Sequence, residues 1–248
     1  MLHSIATSKT GEKWTNYDLG VNETLFPARY AAFPTDSTFY ATAGVFPTAQ
    51  QDRSQVLQKF QNYGRDLKSG KSVFSYREDV EMLADPVNCS TDATDCYSAG
   101  IFKSVDGGAT WKQVYENINT GQNLYPNDID CFDETHCVVV LEGQTCHILV
   151  TSDGGASWNE THTDYDTACS LMYTKYVSQT EVWAAGGRIA RTNFQGHFWH
   201  SLDGGLSWTL EEHDDIWVID LEVTADFGYA LAEDNKNGAT LLKYSATK

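Results

Sequence analysis

The sequence predicts an all-β protein built from repeated four-stranded antiparallel sheets. Two observations lead to this fold class. An eight-residue motif occurs three times, beginning at residues 104, 151 and 201, and short runs rich in β-branched and aromatic residues precede each copy. The composition, with 41% hydrophobic and 12% aromatic residues, is sufficient for a packed core. We therefore expect one folded domain over residues 1–248.

The repeated motif has the chemistry of a tight turn between two strands. Its aspartate can accept hydrogen bonds from the turn's own amides, its glycines allow a positive φ, and its tryptophan can bury a large apolar surface. A degenerate fourth copy runs from Thr7 to Trp14, with Lys9 in place of the aspartate. The framing residues of the three complete copies are Ser104, Asp106, Gly108 and Trp111; Thr151, Asp153, Gly155 and Trp158; and Ser201, Asp203, Gly205 and Trp208.

This motif resembles the Asp-box (BNR) repeat of sialidase-like β-propellers, which lies between the third and fourth strands of a blade. The resemblance covers roughly the whole chain. It implies a β-propeller of four-stranded blades, in which the motif aspartates are structural and ligands bind at the opposite face. The strands expected before the motifs are 29–33, 38–43 and 97–104; 127–132, 136–141 and 146–151; and 171–178, 181–186 and 196–201, with a last set at 217–224, 228–233 and 239–245.

An insertion over residues 46–96 is expected within the first full blade. Thr48 and Gln51 form a capping box, and apolar residues at helical spacing continue to Leu67, so the insertion is predicted to contain a helix. The remaining residues suffice for about four blades of the observed repeat length. Two alternatives remain open: the chain is part of a larger propeller, or its first strands close the last blade.

Cysteines and glycosylation sequons predict an oxidising, extracytoplasmic compartment. No cysteine lies in a C-x-x-C pair, which disfavours a thiolate metal site. Sequons at Asn22, Asn88 and Asn159 agree with secretion. A cytosolic protein with reduced cysteines is the alternative. The expected disulfides are Cys89–Cys96, Cys131–Cys137 and Cys146–Cys169.

The net charge of −17 argues against nucleic-acid binding, since the few arginines form no cluster. No apolar run approaches the roughly 18 residues of a membrane span, and residues 1–20 lack the apolar core of a signal peptide. No cofactor is expected. Residues 233–238 faintly resemble a calcium loop, but Glu233 stands where aspartate is usual, so we expect a turn between strands, with a calcium site as the alternative.

The resemblance implies that ligands bind at the face carrying the insertion. There, the connections between second and third strands lie beside those between successive blades. We expect this face to recognise a protein or a glycan without catalysis. The candidate ligand-binding residues are Arg188, Arg191, Tyr125, Tyr165 and Trp217.

Glycoside hydrolysis is the alternative function. An enzyme resembling xyloglucanases would use two carboxylates across a cleft, and Glu211, Glu212, Asp214 and Asp215 are candidates in what reads as one loop. A sialidase would need an arginine triad and an R-I-P motif. The chain has no R-I-P motif, and Arg188 and Arg191 belong to one connection. The catalytic residues of such an enzyme are therefore unknown.

A second alternative comes from the blade layout around residues 132–155 and 182–186. Phe132-Asp133, the run from Val138 to Gly143 and the second motif follow the order of the photosystem II assembly-factor propellers. The run from Val182 to Gly186 resembles the corresponding segment of those propellers more closely. This resemblance implies a non-enzymatic factor that binds partner proteins in a lumenal compartment.

Overall fold

The computed structural model describes residues 4–7, 15–18, 28–45, 98–117, 124–143, 146–164, 169–189, 194–234 and 238–245. All regular structure within these ranges is β-strand. The strands are β1 (Ser4–Thr7), β2 (Thr15–Asp18), β3 (Ala28–Ala32), β4 (Phe39–Val45), β5 (Ser98–Ser104), β6 (Lys112–Glu116), β7 (Leu124–Cys131), β8 (Cys137–Gly143), β9 (Cys146–Thr151), β10 (Asn159–Asp164), β11 (Ser170–Tyr176), β12 (Val182–Ile189), β13 (Phe194–Ser201), β14 (Thr209–Asp214), β15 (Ile216–Val223), β16 (Phe227–Asp234) and β17 (Gly238–Ser245).

The strands form antiparallel meanders in chain order, as expected for propeller blades. Blade 1 is β3–β6, blade 2 is β7–β10, blade 3 is β11–β14, and blade 4 has the three strands β15–β17. Among the described strands, β1 and β2 pair with each other and with no other strand. The predicted all-β class, the strand order and the count of about four blades are confirmed. The predicted insertion and its helix, like the turn of the degenerate motif, lie outside the described residues.

The core lies between successive blades, so that blades 2 and 3 are covered on both faces. Val138 and Val140 on β8 pack towards blade 3, while Val139 and Leu141 pack towards blade 1. All four are fully buried. This explains why the sequence of β8 is continuously apolar instead of alternating. Burial of such a side chain contributes about 1.5 to 3 kcal/mol.

The second repeated motif forms a tight turn held by its own side chains. Asp153 Oδ1 accepts a hydrogen bond from the Ser157 amide at 2.9 Å, and its Oδ2 accepts one from the Ser157 hydroxyl at 2.6 Å. Thr151 Oγ1 donates to Asp153 at 2.8 Å and accepts from the Gly155 amide at 2.9 Å. Gly154 and Gly155 have φ values of 72° and 80°, which favour glycine.

The other two motifs form the same turn: Asp106 accepts equivalent hydrogen bonds from Thr110, and Asp203 accepts them from Ser207. These bonds lower the pKa of each motif aspartate to about 2. Each turn also docks on the hairpin between the first two strands of its own blade. The bonds that dock it run from Gly107 N to Ser37 O at 2.9 Å, from Gly154 N to Thr135 O at 3.0 Å, and from Gly204 N to Thr180 O at 2.8 Å.

Two of the three predicted disulfides are present. Cys131–Cys137 closes the β7–β8 hairpin, with its Cα atoms 4.1 Å apart. Cys146–Cys169, with Cα atoms 5.0 Å apart, joins the first residue of β9 to the residue before β11 and so ties blade 2 to blade 3. The predicted Cys89–Cys96 pair and the sequons at Asn22 and Asn88 lie outside the described residues.

Candidate functional site

The two ends of the blades differ in what they carry. The three repeated turns lie at one end, where each third strand passes to a fourth. The other end, called the insertion end, holds the β4–β5, β8–β9, β12–β13 and β16–β17 connections and the links between successive blades. Of the predicted binding residues, Tyr165 and Arg191 fall in connections at this end that lie outside the described residues.

Blades 2 and 3 are joined directly at the insertion end. The Ser170 hydroxyl donates a hydrogen bond to the Glu142 carboxylate, and the two residues also pair in the ladder between β11 and β8. The side-chain amide of Asn127 donates a hydrogen bond to the carbonyl of Leu171 at 2.9 Å. With the Cys146–Cys169 disulfide, these contacts fix the relative position of the two blades.

Arg188 lies beside this junction, near the end of β12. It pairs with Gln195 on β13 and lies on the same face of the strand as Ala184, which packs in the core between blades 2 and 3. Its Nε is buried, and no residue that the structure describes accepts a hydrogen bond from it. An unpaired buried donor costs about 1 to 3 kcal/mol. The side chain as a whole is partly exposed, so a ligand that reaches the guanidinium could supply the missing acceptor.

The predicted aromatic residues differ in their exposure. Tyr125 is only 6% exposed, because its ring lies against the backbone of Gly44. A side chain at Gly44 would overlap that ring, so Tyr125 packs between blades 1 and 2. Trp217, near the start of β15, is partly exposed, and its ring centroid lies 6.4 Å from that of Phe194.

Glu211 and Glu212, two of the four candidate catalytic carboxylates, do not face each other. The sequence suggested one loop for all four, but β14 extends to Asp214 because it stays paired with β13. Glu211 and Glu212 therefore point to opposite faces of a strand. Glu211 Oε1 lies 2.8 Å from His213 Nε2, whereas Glu212 Oε1 lies 3.6 Å from Nε2 of the buried His197.

Asp215 forms the connection from β14 to β15. It has a φ of 67°, unusual for a residue other than glycine, and its amide donates to the carbonyl of Phe194 at 2.9 Å. Asp214 is exposed at the end of β14. The positions of these two residues follow from the very short link between blades 3 and 4.

Two carboxylates that sequence reasoning missed lie between the innermost strands of blades 2 and 3. Asp128 Oδ2 accepts a hydrogen bond from the Thr174 amide at 3.0 Å, and Asp130 Oδ2 accepts one from the Tyr176 amide at 2.8 Å. Burial raises the pKa of Asp128 to about 6 and raises that of Asp130. In the sequence, only the Asp-Ile-Asp alternation could have indicated these inward carboxylates. The same alternation is equally typical of an ordinary half-exposed strand.

Within the described ranges, no three histidine, cysteine, aspartate or glutamate side chains come together as a metal site. The residues at the centre of the suggested calcium loop, 235–237, lie outside those ranges. In the same part of the chain, no helix has the length and apolar character needed to cross a membrane.

Comparison with known proteins gives structural similarity without sequence similarity. No protein-family model and no curated protein sequence matches the chain. The GH74 xyloglucanase from Xanthomonas campestris superposes with a TM-score of 0.55 at 10% identity, over 96% of this chain and 32% of the enzyme. The chain thus spans about a third of that enzyme's length.

Two further solved structures are similar at lower scores. YCF48 from Cyanidioschyzon merolae gives a TM-score of 0.43 at 16% identity, over 98% of this chain and 76% of its own. The oligogalacturonate lyase from Vibrio parahaemolyticus gives 0.43 at 7% identity, over 99% and 64%. At such identities similarity bears on fold alone. The blade topology together with the xyloglucanase match assigns this chain the β-propeller fold.

Proposed function

We propose that this propeller binds an acidic group of a protein or glycan at the insertion end, beside the junction of blades 2 and 3, and catalyses no reaction. The observation that carries the proposal is the buried Nε of Arg188, which has no acceptor among the described residues. A carboxylate ligand would supply that acceptor and would form a charge-assisted hydrogen bond. Trp217, at the same end of the neighbouring blade, offers a partly exposed ring for contact with the rest of the ligand.

The positions of Glu211 and Glu212 remove one candidate pair for glycoside hydrolysis. A glycosidase needs two carboxyl groups about 5 to 9.5 Å apart, facing each other across the scissile bond. Glu211 and Glu212 point to opposite faces of β14, and each lies beside a different histidine. They therefore cannot serve as such a pair. The hydrolase alternative would need a pair of carboxylates other than Glu211 with Glu212.

The geometry of the repeated turns supports their assignment as Asp boxes with a structural role. In each turn the aspartate accepts hydrogen bonds from the turn's own amide and hydroxyl groups, so its carboxylate stabilises the hairpin. The two disulfides support an oxidising, extracytoplasmic location. Asn159 is exposed at the start of β10, where an attached glycan would extend into solvent.

A binding screen with parallel turnover assays tests this function. The full chain is applied to arrays of acidic and neutral glycans and of acidic peptides, and each ligand found is titrated against Arg188→Ala, Arg188→Lys and Lys112→Ala. Lys112 is an exposed cation on β6 and serves as the control. We expect Arg188→Ala to weaken binding at least about tenfold, a typical hot-spot loss, with partial recovery in Arg188→Lys. Equal affinity in all variants, or turnover of a bound glycan, would reject the proposal.

A further inference from the structure

The third repeated turn differs from the other two in one exposed side chain. Its sixth position is Leu206, where the first two motifs have Ala109 and Ala156. Leu206 is 67% exposed, so most of the free energy that its burial could contribute is not gained within the turn itself. A single exposed leucine is common on protein surfaces. The groups around Leu206 therefore decide whether it has a role.

A cavity of about 230 Å³ lies between Leu206 and the second repeated turn. We call it the turn cavity. Val150 and Leu206 form apolar parts of its walls, and the exposed residues Ser152, Gln179 and Thr180 bring hydroxyl and amide groups. Sites for drug-sized ligands measure about 300 to 1,000 Å³, so the turn cavity suits one sugar residue or a similarly small group.

Asn159 also lines the turn cavity. It directly follows the tryptophan of the second motif, where the other two motifs have Lys112 and Thr209. Asn159 pairs with Val150 in the ladder between β10 and β9, so the two side chains lie on the same face of blade 2. That face is turned towards blade 3, because Val150 packs in the core between these blades and a Cβ atom added to Gly205 would lie 3.0 Å from Val150 Cγ1. The sequon asparagine and the exposed leucine thus lie on two sides of one cavity.

We propose that Asn159 carries an N-linked glycan whose first N-acetylglucosamine occupies the turn cavity and covers Leu206. The inference rests on the extracytoplasmic location proposed above, and not on ligand binding at the insertion end. The C–H groups on one face of the sugar ring would cover the leucine, and the hydroxyl and acetamide groups would face the polar side chains of the walls. Because the sugar is attached to a wall of the cavity, its local concentration there is high, and weak contacts suffice to hold it.

The glycosylation machinery of the secretory pathway would make this bond. Asn159 Nδ2 loses one proton and bonds to C1 of N-acetylglucosamine, while the bond between C1 and the pyrophosphate of a lipid-linked oligosaccharide donor breaks. Thr161 completes the sequon, and in the folded protein its hydroxyl accepts a hydrogen bond from Trp208 Nε1 at 3.1 Å. The transfer is therefore expected before blade 3 packs on blade 2, and the packing of blade 3 then brings Leu206 to the sugar.

Four proteins from a secretory host that adds high-mannose glycans test the proposal: wild type, Asn159→Gln, Leu206→Ala and the double variant. Each full chain is trimmed with an endoglycosidase that leaves one N-acetylglucosamine. Peptide mass mapping should then show one N-acetylhexosamine on Asn159 of the wild type. We expect Asn159→Gln to lower the melting temperature by about 2 to 4 °C. This difference should shrink at least about twofold in the Leu206→Ala background, because the sugar and the leucine stabilise each other.

Two controls separate the sugar from other effects of the substitutions. Leu202→Ala changes a 70% exposed leucine of the same turn that is not part of the cavity walls, and it should leave the difference intact. Wild type and Asn159→Gln are also produced in a bacterial periplasm, where disulfides form but no N-linked glycan is added. These two proteins should melt at the same temperature.

Absence of N-acetylhexosamine from Asn159 would overturn the proposal, and so would equal melting temperatures of the trimmed wild type and Asn159→Gln. A difference that persists fully in the Leu206→Ala background, or that Leu202→Ala reduces equally, would overturn it as well, since the sugar would then act outside the turn cavity. These measurements do not depend on Arg188. Failure of ligand binding at the insertion end and failure of this proposal are therefore distinguishable.

Discussion

The carboxylate of Asp128 on β7 accepts a hydrogen bond from the backbone amide of Thr174 on β11, with 3.0 Å between Oδ2 and N. Asp130 makes the same contact with Tyr176 two residues further along both strands. Side-chain oxygens thus take the place of a carbonyl ladder between the innermost strands of blades 2 and 3. The junction contains two partly buried carboxyl groups, which links its stability to pH.

We predict that Asp128 makes the protein less stable as pH rises from 4 to 6. Burial raises the pKa of Asp128 from 3.8 to about 6, so the folded state holds this proton more tightly than the unfolded chain. The contribution to stability is fully present below pH 3.8 and is lost as pH rises through about 6. Since one unit of pKa shift corresponds to about 1.4 kcal/mol, the loss is up to about 3 kcal/mol.

The Asp128→Asn variant isolates this contribution, because the amide oxygen can still accept from Thr174 without titrating. Urea unfolding from pH 4 to pH 7 should show a flatter dependence of the unfolding free energy on pH in this variant. Asp36→Asn, which changes an exposed carboxylate in the β3–β4 turn, is the control and should keep the wild-type slope. Equal slopes in all three proteins would contradict the assignment.

Loss of a motif aspartate should destabilise its hairpin. Asp153→Ala removes the two bonds to Ser157 and the bond from Thr151, so we expect the melting temperature to fall by several degrees. Asp226→Ala, at an exposed turn outside the motifs, should change it little. A fall of the same size in both variants would show that the motif has no special role.

The motif aspartates also predict acid sensitivity below pH 4. The hydroxyl and amide of Ser157 lower the pKa of Asp153 from 3.8 to about 2, so the folded state favours the carboxylate. Its contribution is present above pH 3.8 and is lost as pH falls towards 2. Thermal melts from pH 5 to pH 2 should therefore converge for wild type and Asp153→Ala at the acid end. If the melting temperatures of wild type and Asp153→Ala instead differ by the same amount from pH 5 to pH 2, the prediction is wrong.

Local patterns in the sequence account for the strands and turns but not for the contacts between blades. The runs before each motif predicted β8 and β12 because strand patterns and turn residues are local signals. The unpaired Nε of Arg188 could not be predicted, because it depends on what β13 and blade 2 place around it. The inward direction of Asp128 likewise follows from the position of β11, which is 46 residues away in the chain.

Expression in a secretory host should show whether Asn159 carries a glycan. The side chain is exposed at the first position of β10, and Thr161 completes the sequon. Digestion with a glycosidase that releases N-linked glycans should lower the mass of the wild type more than that of Asn159→Gln. Equal mass changes in both proteins would place any glycans elsewhere. In the folded protein Thr161 accepts a bond from Trp208, so the modification is expected to occur during synthesis.

The two disulfides should differ in their contributions to stability. Cys146–Cys169 closes a loop with a sequence separation of 23, whereas Cys131–Cys137 has a separation of 6. Loop-closure entropy in the unfolded chain then gives about 3 kcal/mol for the first and about 2 kcal/mol for the second. The first also ties two blades together, while the second lies within a hairpin that its ladder already holds. Urea unfolding of the Cys146→Ala/Cys169→Ala and Cys131→Ala/Cys137→Ala double variants should therefore show the larger loss for the former. The reverse order would mean that hairpin closure, and not the link between blades 2 and 3, limits the stability of the propeller.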